Sequence, residues 1–561
     1  MEQKNDQNQL EFPGTWAKNE PERIAIVMTG SGEEMTYFEL DEKANRIANL
    51  FVSLGLNAGD HVAFCLENTI DFLPLAWGAH YAGLYYTAIS SRLTDEEMSY
   101  IVKDCGARVF ITSVGVRDTA EQMNFSDTAV QEKFSIGGEL TGYTSLEDAI
   151  ESVSKEPRLG RVEGQDMLYS SGTTGLPKGI VRDIGGHIVA LKWTVKNIYN
   201  IQPDDVWWSA SDIGWIVGHS YIVYAPLFHG CTTVLFEGKP VGTPDAGVFW
   251  RIISEHKVKS LFTAPTAIRA IKKEDPNGEF FKKYDLSKFD KLFLAGERAD
   301  PDTIKWFEKL SNSPVIDHWW QTETSWAITS DCTGIESFPV KYGSAFKPVP
   351  GYDLKVLNSE GKEVSAGKMG DIVVKLPLPP GTFPTLWGAD KRYKENYMTT
   401  YPGYYQTYDA GHIDEDGYVW IMSRTDDIIN VAGHRLSTGA IEEVLAEHSN
   451  VAECAVIGIA DKLKGQLPIG LLALKAGVTK DKKEIIDECV KMVREKVGPV
   501  AAFKIAIVVK RLPKTRSGKV LRGTVRKIAD NEPYKMPATI DDPAILDEIK
   551  ADLIENQILK L

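Results

Sequence analysis

Short apolar segments alternate with longer segments of helical periodicity along most of the chain, and this alternation limits the possible folds more than any other feature of the sequence. The clearest apolar segments are residues 61–66, 108–112, 232–236 and 291–295. Between them lie segments such as 186–199, in which apolar residues recur every three or four positions and share one helical face. This pattern predicts an α/β fold in which helices flank largely parallel sheets.

The pattern changes near Thr425 and Asp426. The segments beyond this point are predicted helices at 438–447 and 482–497 and predicted strands at 451–460, 469–475 and 505–509. They indicate a smaller α+β unit, and a chain of 561 residues is too long for one hydrophobic core to organise. We therefore expect a large N-terminal domain at 1–424, a hinge at 425–426 and a small C-terminal domain at 427–561.

The net charge and the cysteines exclude several function classes. The chain carries 78 acidic and 63 basic side chains, a formal net charge of -15, whereas nucleic-acid binding needs clustered Lys and Arg. Its six cysteines are widely spaced and form no Cys-x-x-Cys motif, which argues against a zinc cage or a disulfide framework. We expect a protein of a reducing compartment without a nucleic-acid partner, as a monomer or a small homo-oligomer.

Neither a targeting segment nor a membrane span is indicated. The N-terminal residues MEQKNDQNQLEF contain neither the apolar core of a signal peptide nor the Arg-rich pattern of an import sequence. The longest uncharged run, 72–91, is interrupted by Pro74, Gly78, His80 and Gly83. It therefore favours a buried helix that leads into a strand over a membrane span. We expect a cytoplasmic protein without a membrane partner.

The segment MLYSSGTTGLPKGI, residues 167–180, is the most informative for function. It combines hydroxyls, closely approachable backbone amides and one cation, which together suit a polyphosphate. Its polar and glycine residues are Ser170, Ser171, Gly172, Thr173, Thr174, Gly175 and Lys178. A Walker A loop requires Gly-Lys-Ser/Thr, but here Pro177 precedes Lys178 and Gly179 follows it, which argues against a P-loop NTPase. By composition alone, a Ser/Gly-rich surface loop is an equal alternative.

The string YSSGTTGLPKG resembles the phosphate loop of the adenylate-forming (AMP-binding) superfamily, which includes acyl-CoA synthetases, peptide-synthetase adenylation domains and luciferases. The resemblance extends over nearly the whole chain through three further blocks at 317–326, 408–435 and 512–522. From about Met167 onward, GHSYIVYAPLFHG, WWQTET and LPKTRSGK are most similar to the propionyl-CoA/acetyl-CoA synthetase branch. The resemblance implies that the small C-terminal domain is mobile and rotates at Asp426.

The block 317–326, DHWWQTETSW, carries residues that the resemblance connects with ATP. It implies an aromatic ring near the nucleotide at Trp320, beside Gln321, a phosphate contact at Thr322 and a magnesium ligand at Glu323. A carboxylate suits a hard cation, and Mg²⁺ that bridges phosphate oxygens makes pyrophosphate a better leaving group. Taken alone, a Glu after a Thr is more often a helix-capping residue.

The block 408–435 is similarly implied to hold the ribose. Asp409 and Arg424 would bind its hydroxyls, for which a carboxylate and a guanidinium are well suited. The same block predicts a β-hairpin with a turn at Asp416-Gly417, which is compatible with that role. The ATP- and AMP-binding residues implied in this way are Ser170, Ser171, Gly172, Thr173, Thr174, Gly175, Lys178, Gly296, Glu297, Arg298, Trp320, Gln321, Thr322, Asp409, Arg424 and Arg435.

The block 512–522, LPKTRSGKVLR, contains Lys519, which the resemblance identifies as the lysine that moves over the substrate carboxylate during adenylation. A solvated basic surface is the alternative. Adenylation brings together two anions, the carboxylate and the α-phosphate, so positive charges on both groups lower the barrier. The predicted catalytic residues are Lys519, Glu323, Thr174 and Lys178. Lys519 also resembles a lysine on which acetyltransferases and deacetylases act in this family.

The acyl pocket implied by the resemblance is short. Trp320 would close its far end, Ile216 and Val217 would form one wall, and Ala295 replaces a larger aliphatic residue of acetate-specific relatives. The absent methyl groups leave room for roughly one more substrate carbon, so we predict propionate. Acetate and butyrate remain possible, because one methylene is worth only about 1 to 3 kcal/mol. The bulky Trp326 could reshape this pocket.

Together the four blocks predict an AMP-forming acyl-CoA ligase that converts a short-chain carboxylate, ATP and coenzyme A to acyl-CoA, AMP and diphosphate through an acyl-adenylate, with Mg²⁺ as cofactor. Three alternatives stay open: a ligase for another small branched, unsaturated or cyclic acid, an adenylation enzyme that loads a carrier protein, and a nonenzymatic nucleotide sensor. The CoA-binding residues implied are Gly433, His434 and Arg494, and Arg494 fits a helix surface nearly as well.

Overall fold

The computed structural model describes residues 12–158, 161–170, 177–431, 434–475, 477–515, 518–537 and 540–559, with the backbone only at 426, 434, 435 and 500. Two large sheets flanked by helices occupy the first 330 residues or so, an antiparallel sheet follows, and a separate mixed sheet lies in the C-terminal part. The predicted α/β class with a smaller α+β part is confirmed.

The elements up to residue 317 form the two large sheets and their helices. The strands are β1 (Ile24–Met28), β2 (Glu34–Thr36), β3 (His61–Leu66), β4 (Tyr85–Ser90), β5 (Val109–Ser113), β6 (Glu132–Ile136), β7 (Thr144–Ser145), β8 (Gln165–Asp166), β9 (Leu168–Ser170), β10 (Lys178–Ile180), β11 (Val206–Ser209), β12 (Thr232–Leu235), β13 (Ser260–Thr263), β14 (Lys291–Leu294) and β15 (Val315–Asp317). The helices are α1 (Pro13–Asn19), α2 (Tyr37–Ser53), α3 (Phe72–Tyr81), α4 (Asp95–Cys105), α5 (Arg117–Ala120), α6 (Leu146–Glu151), α7 (Ile184–Asn197), α8 (Ile216–Gly218), α9 (Ala225–His229), α10 (Val248–Glu255), α11 (Pro265–Glu274) and α12 (Pro301–Ser311). A π-helix, His219–Tyr224, joins α8 to α9.

Both large sheets are built from the predicted apolar segments. One has the strand order β7-β6-β5-β3-β4-β8 and is parallel throughout. The other has the order β15-β14-β13-β11-β12-β1-β2 and is parallel except at its β1–β2 edge. All six residues of β3 are buried, as expected for a parallel strand covered on both faces.

Local sequence sets the ends of several helices. Thr36 and Glu39 form a reciprocal capping box at the start of α2, and Thr94 and Glu97 do the same for α4. Helix α4 stops at Gly106, whose φ of 68° lies in the left-handed region that glycine adopts without strain. These signals explain why the helices begin and end where the apolar periodicity does.

An antiparallel sheet follows the two parallel ones. Its region comprises β16 (Thr329–Ser330), β17 (Lys347–Pro348), β18 (Leu354–Leu357), β19 (Gly370–Lys375), β20 (Tyr404–Ile413), β21 (Val419–Arg424) and α13 (Asp390–Tyr397). Strands β18 to β21 pair in sequence order, and β20 and β21 form the predicted hairpin around Gly417.

The C-terminal part has a sheet and core of its own. Its elements are β22 (Ile429–Val431), β23 (His434–Leu436), β24 (Val451–Asp461), β25 (Gly465–Leu474), β26 (Ile505–Val509), α14 (Thr438–Ala446), α15 (Lys482–Lys496), α16 (Arg522–Ala529) and α17 (Ala544–Glu555). The strand order is β23-β22-β25-β24, with β26 parallel to β25. A 3₁₀ turn, Thr425–Asp427, separates β21 from β22, and the domain boundary placed there stays a prediction.

The uncharged run 72–91 folds as the sequence indicates. It forms the buried helix α3 and then leads into β4. Within the described ranges, every helix is too short or too polar to cross a bilayer.

Candidate active site

The predicted phosphate loop lies in the chain between the paired strands β9 and β10. Strands β9 and β10 pair antiparallel, and Lys178 lies opposite Ser170 where the two strands meet the loop. Ser170 and Lys178 are both half-buried at this end of the hairpin. The loop residues Ser171, Gly172, Thr173, Thr174 and Gly175 lie outside the described residues, so their predicted roles stay predictions.

Lys178, Glu323 and Tyr397 form a closed triangle of hydrogen bonds beside this loop. The Lys178 ammonium donates to Glu323 Oε1 over 2.9 Å and also contacts the Tyr397 hydroxyl. The Tyr397 hydroxyl donates to the same Glu323 oxygen, again over 2.9 Å. Burial acts to raise the pKa of Glu323, but Lys178 and then Tyr397 outweigh it and hold that pKa below its usual value. Glu323 is therefore an ionised carboxylate next to a cation.

Tyr397 is a site residue that the sequence did not reveal. It is the last residue of α13, and 219 positions separate it from Lys178. No motif block contains it, and the polar helix α13 has no periodicity that singles it out. Only its buried position within an otherwise accessible helix distinguishes it.

Asp409 and Arg424, the predicted ribose ligands, face each other across the β20–β21 hairpin. They are direct partners in the register, and one guanidinium nitrogen of Arg424 lies 3.3 Å from Asp409 Oδ1. Asp409 is only 6% exposed, and its burial raises the pKa of the carboxyl, although Arg424 and Gln321 act to lower it. The hairpin thus presents a carboxylate and a guanidinium side by side, which can accept and donate hydrogen bonds to neighbouring hydroxyls.

The segment after β15 supplies further contacts to this pair. Gln321 Nε2 donates to Asp409 Oδ2 over 2.6 Å, and Trp319 Nε1 donates to the same oxygen over 3.2 Å. Trp319 is a second contact that the motif comparison did not name. Thr322 is half-buried and directly precedes Glu323. Asp409, Glu323 and Lys178 are therefore linked through one short segment.

The tripeptide Gly296, Glu297 and Arg298 follows β14 at the carboxyl end of the parallel sheet. Gly296 has a φ of 100° and open space where a Cβ would stand. Glu297 accepts a hydrogen bond from Arg269 over 2.6 Å, whereas Arg298 pairs over 2.9 Å with Glu443 of α14. Two of the three predicted nucleotide residues are thus charged groups already engaged with protein partners.

The predicted acyl-pocket residues divide into two groups. Trp320 packs edge-on against Tyr221 of the π-helix, with ring centroids 5.5 Å apart, and Ile216 and Val217 begin the helical segment that carries Tyr221. Ala295 is buried at the end of β14. These residues surround the carboxyl edge of the second large sheet, and π-helices occur preferentially at functional sites.

Trp326 lies in different surroundings. Its ring packs against Tyr352 and Trp193, with centroids 4.8 and 6.0 Å away, and its Nε1 donates to the Pro380 carbonyl over 3.0 Å. It is 4% exposed and thus held inside the core. Its predicted influence on the acyl pocket would act through this packing.

Lys519 is brought to the site by the C-terminal part. The backbone at Gly518 lies against α11, so a Cβ there would be 3.4 Å from Thr266 Oγ1. Lys519 remains accessible to solvent, yet desolvation by the surrounding protein, and then the charge of Arg424, lower the pKa of its ammonium. Asp409 and Glu323 act on that pKa in the opposite direction, so the lysine senses the charges of the nucleotide site.

The other predicted C-terminal residues are less well defined. Arg494 is exposed near the end of α15. Gly433 lies outside the described residues, and so do the side chains of Asp426, His434 and Arg435. The CoA and hinge roles of these residues stay predictions.

A second charged cluster lies at the opposite end of the β9–β10 hairpin. Arg182 Nε donates to Asp166 Oδ2 over 2.7 Å, and His219 Nδ1 lies 3.0 Å from the same oxygen. His187 lies 3.8 Å from the other oxygen, and all four side chains are fully buried. Burial would raise the pKa of Asp166, but Arg182 and the two histidines hold it well below its usual range.

The carboxylate of Glu323 suits a divalent cation whose other ligands are phosphate oxygens. Among the described residues, Lys178 and Tyr397 both donate to Oε1 of Glu323, so neither of them occupies the second carboxylate oxygen, which could bind a cation. Within the described part of the chain, no group of three or more His, Cys, Asp or Glu side chains could cage a metal. Mg²⁺ at such a site takes one or two carboxylates and completes its shell with phosphate oxygens and water.

Comparison with known proteins gives consistent matches over most of the chain. The model of the AMP-binding enzyme family matches residues 14–387, and that of the AMP-binding enzyme C-terminal domain matches residues 440–519. The chain is 42% identical over 555 residues to acyl-CoA synthetase short-chain family member 3, mitochondrial, of Mus musculus, covering 94% of this chain and 81% of the mouse protein. It is 35% identical over 606 residues to propionate–CoA ligase of Escherichia coli K12, covering 96% and 90% of the two chains.

A solved structure extends this similarity to three dimensions. The anthranilate CoA ligase AuaEII in complex with anthranoyl-AMP superposes with a TM-score of 0.81 at 25% identity, and the match covers 93% of this chain and 98% of that one.

Proposed function

The chain belongs to the AMP-binding enzyme family and is an AMP-forming acyl-CoA ligase, and on that premise we propose that its preferred acid is propionate. The enzyme converts a carboxylate, ATP and CoA to acyl-CoA, AMP and diphosphate. The observation that carries the choice of acid is the combination of Trp320 with the small Ala295 at the carboxyl edge of the sheet. Similarity to a propionate–CoA ligase supports it.

For the first half-reaction we assign four charged side chains to three tasks. Lys178 would bind the polyphosphate, Lys519 would bridge the substrate carboxylate and the α-phosphate, and Asp409 with Arg424 would fix the ribose. Support comes from the site charges that act on Lys519 and from the half-buried position of Lys178. Positive charge where two anions meet is the main source of stabilisation in such a step.

Glu323 is the residue that would hold Mg²⁺. When bound, the cation supplies charge neutralisation between phosphate oxygens, which makes pyrophosphate a better leaving group. The low pKa of Glu323 keeps the carboxylate ionised and ready to bind such an ion at neutral pH.

For the second half-reaction we propose that the C-terminal part rotates at Asp426. Gly433, His434 and Arg494 would then contact CoA. The six cysteines are all free, which supports a cytoplasmic enzyme in a reducing compartment. Lys519 is accessible to solvent, so we also propose it as a target of lysine acetylation, a role that mass spectrometry of the protein from cells would test.

The assignment of Lys519 is tested by separating the two half-reactions. We expect Lys519→Ala to reduce ATP–pyrophosphate exchange by at least about 1,000-fold, comparable to the loss of a key electrostatic group. Thioester formation from supplied acyl-adenylate should stay within about threefold. Equal loss of both activities would contradict the assignment, and Lys504→Ala, on the same domain, serves as the control.

The choice of acid is tested by pyrophosphate release over straight, branched and cyclic acids of two to six carbons. We expect propionate to give the highest kcat/KM, and Ala295→Val to move the preference towards acetate by about tenfold, the value of one methylene. A wild-type optimum at butyrate or at a branched acid would reject propionate while leaving the ligase activity intact.

A further inference from the structure

The hydroxyl of Tyr397 completes the hydrogen bonding between Lys178 and Glu323. The ammonium of Lys178 donates to both Glu323 and Tyr397, and Tyr397 donates its single proton to Glu323. The three hydrogen bonds are therefore compatible with one another: Lys178 donates two, Tyr397 accepts one and donates one, and Glu323 accepts two. Lys178 also lies 4.9 Å from the centroid of the Tyr397 ring, within the range of a cation–π contact.

Packing holds the Tyr397 ring in place. Phe383 meets it edge-on with centroids 5.0 Å apart, and Tyr405 stacks on it at 5.6 Å. Tyr408 meets a further edge at 6.0 Å, and the residue is 3% exposed. The hydroxyl therefore has a fixed position, because the ring cannot turn without displacing three aromatic neighbours.

If Lys178 binds the polyphosphate and Glu323 binds Mg²⁺, as proposed above, both side chains must exchange partners when ATP binds. Without ligand they neutralise each other over 2.9 Å, each with 15% of its side chain exposed. When phosphate takes the ammonium, the carboxylate loses its cation. The Tyr397 hydroxyl already donates to Glu323 Oε1, so that oxygen keeps a hydrogen bond after Lys178 has moved to the ligand. The Tyr397 oxygen can still accept one proton of the Lys178 ammonium, while the other ammonium protons bond to the phosphate.

We propose that Tyr397 is a positioning residue for adenylation, whose hydroxyl holds Lys178 and Glu323 in the orientation that receives the polyphosphate and its divalent cation. The inference rests on the proposed cation-binding role of Glu323. The phenol acts as a neutral hydrogen-bonding group throughout, since burial and then Glu323 raise its pKa well above the physiological range.

The test uses Tyr397→Phe with Tyr393→Phe as a matched control. Tyr393 lies one turn earlier on α13 and also packs on Phe383, but its hydroxyl bonds to none of the described residues. Removal of one hydrogen bond to charged groups should lower ATP–pyrophosphate exchange in Tyr397→Phe about 10- to 100-fold. Thioester formation from supplied acyl-adenylate should stay within twofold, and Tyr393→Phe should match the wild type in both.

A binding measurement supplies a readout that does not depend on turnover. Electron paramagnetic resonance of Mn²⁺, titrated with a nonhydrolysable ATP analogue, should show affinity weakened about fivefold or more in Tyr397→Phe and unchanged in Tyr393→Phe. Thermal unfolding of both variants should agree within about 2 °C, since neither change leaves a cavity larger than an oxygen atom. Equal exchange rates and equal Mn²⁺ affinities in the two variants would overturn the proposal.

Glu323→Gln separates this inference from the proposed function. Loss of Mn²⁺ binding in Glu323→Gln but not in Tyr397→Phe would refute the role of Tyr397 and leave the cation site standing. Unchanged Mn²⁺ binding in Glu323→Gln would refute the cation site itself, and with it the inference. Equal loss of exchange and thioester formation in Tyr397→Phe would also refute it, because positioning of the polyphosphate concerns only the first step.

Discussion

The two ends of the β9–β10 hairpin carry the same kind of ion pair in opposite environments. At one end, Lys178 and Glu323 are 2.9 Å apart and each is 15% exposed. At the other end, Arg182 and Asp166 are 2.7 Å apart and fully buried. In the half-buried pair, Lys178 directly follows the phosphate-loop segment in the chain, whereas the buried pair is enclosed with His187 and His219 between the hairpin, α7 and the π-helix.

The difference in burial separates a pair that can exchange partners from one that cannot. A ligand can reach Lys178 and Glu323, and Tyr397 is available to satisfy them during the exchange. Removal of Asp166 or of Arg182 would leave the other side chain as a buried charge with neither an ion-pair partner nor solvent around it, which is strongly destabilising. The buried cluster is therefore suited to hold the hairpin in place, and the half-buried pair is suited to bind a ligand.

The cluster also links segments that must act together. His187 Nε2 lies 3.3 Å from Ser220 Oγ of the π-helix, and Ser220 donates to the carbonyl of Ser325 over 2.9 Å. Ser325 follows Glu323 by two residues. A continuous buried network therefore connects the β9–β10 hairpin, the π-helix and the segment that contains Glu323.

The largest effect is expected when the buried pair is broken. Asp166→Asn should lower the free energy of unfolding by about 3 to 5 kcal/mol, because the Arg182 charge is left uncompensated in the interior. Urea unfolding followed by tryptophan fluorescence measures this, with the exposed Asp285→Asn as control. An unchanged urea midpoint in Asp166→Asn would contradict the claim that the buried pair stabilises the fold.

The half-buried pair should respond in the opposite manner, with a loss of activity rather than of stability. Lys178→Met should reduce ATP–pyrophosphate exchange about 100- to 1,000-fold, as expected for one lost electrostatic contact to the reacting phosphates. Its urea midpoint should fall much less than that of Asp166→Asn. Lys391→Met, on the exposed side of α13, is the control and should change neither quantity. Normal ATP–pyrophosphate exchange in Lys178→Met would show that Lys178 has no functional role and would contradict the comparison.

The pH dependence of stability tests whether the histidines of the buried cluster are held in the neutral form. Desolvation and then Arg182 lower the pKa of His187 to about 3, against about 6.5 in the unfolded chain. Between these values only the unfolded state is protonated, so stability falls as pH falls, by about 1.4 kcal/mol per pH unit well below pH 6.5.

When the pH is lowered from 6.5 to 5.5, the free energy of unfolding should therefore fall by about 1 kcal/mol less in His187→Gln than in the wild type. Urea unfolding at the two pH values measures the difference. Parallel pH dependence in the two proteins would show that His187 binds protons equally in the folded and unfolded states, so that its pKa is not lowered by the fold.

The smallest effect is expected at a third pair, which joins the large and small parts. Arg298 and Glu443 are 2.9 Å apart, with 20% and 34% of their side chains exposed. Pairs of this exposure are worth about 0 to 1 kcal/mol, so Glu443→Gln should change adenylation and thioester formation by less than about fivefold. A larger change in one half-reaction alone would mean that this contact selects between two domain orientations.

Much of the fold followed from local patterns. The segments 61–66 and 505–509 are strands β3 and β26 with the predicted limits, and the helix predicted at 438–447 is α14. Apolar periodicity predicts these elements because each strand or helix buries a face that its own residues define. The motif blocks likewise contain Lys178, Glu323 and Asp409, which the fold brings together.

The sequence by itself determined the α/β class and the reaction class, and it named the groups that are predicted to bind the nucleotide. Only the tertiary structure decided that Tyr397 joins Lys178 and Glu323, that Trp319 contacts Asp409, and that Trp326 packs on Trp193 and Tyr352. The partners of the Tyr397 contacts lie 74 and 219 positions away in the chain. Spacing along a strand or helix predicts which side chains share a face, but which distant faces meet depends on how the sheets and helices pack.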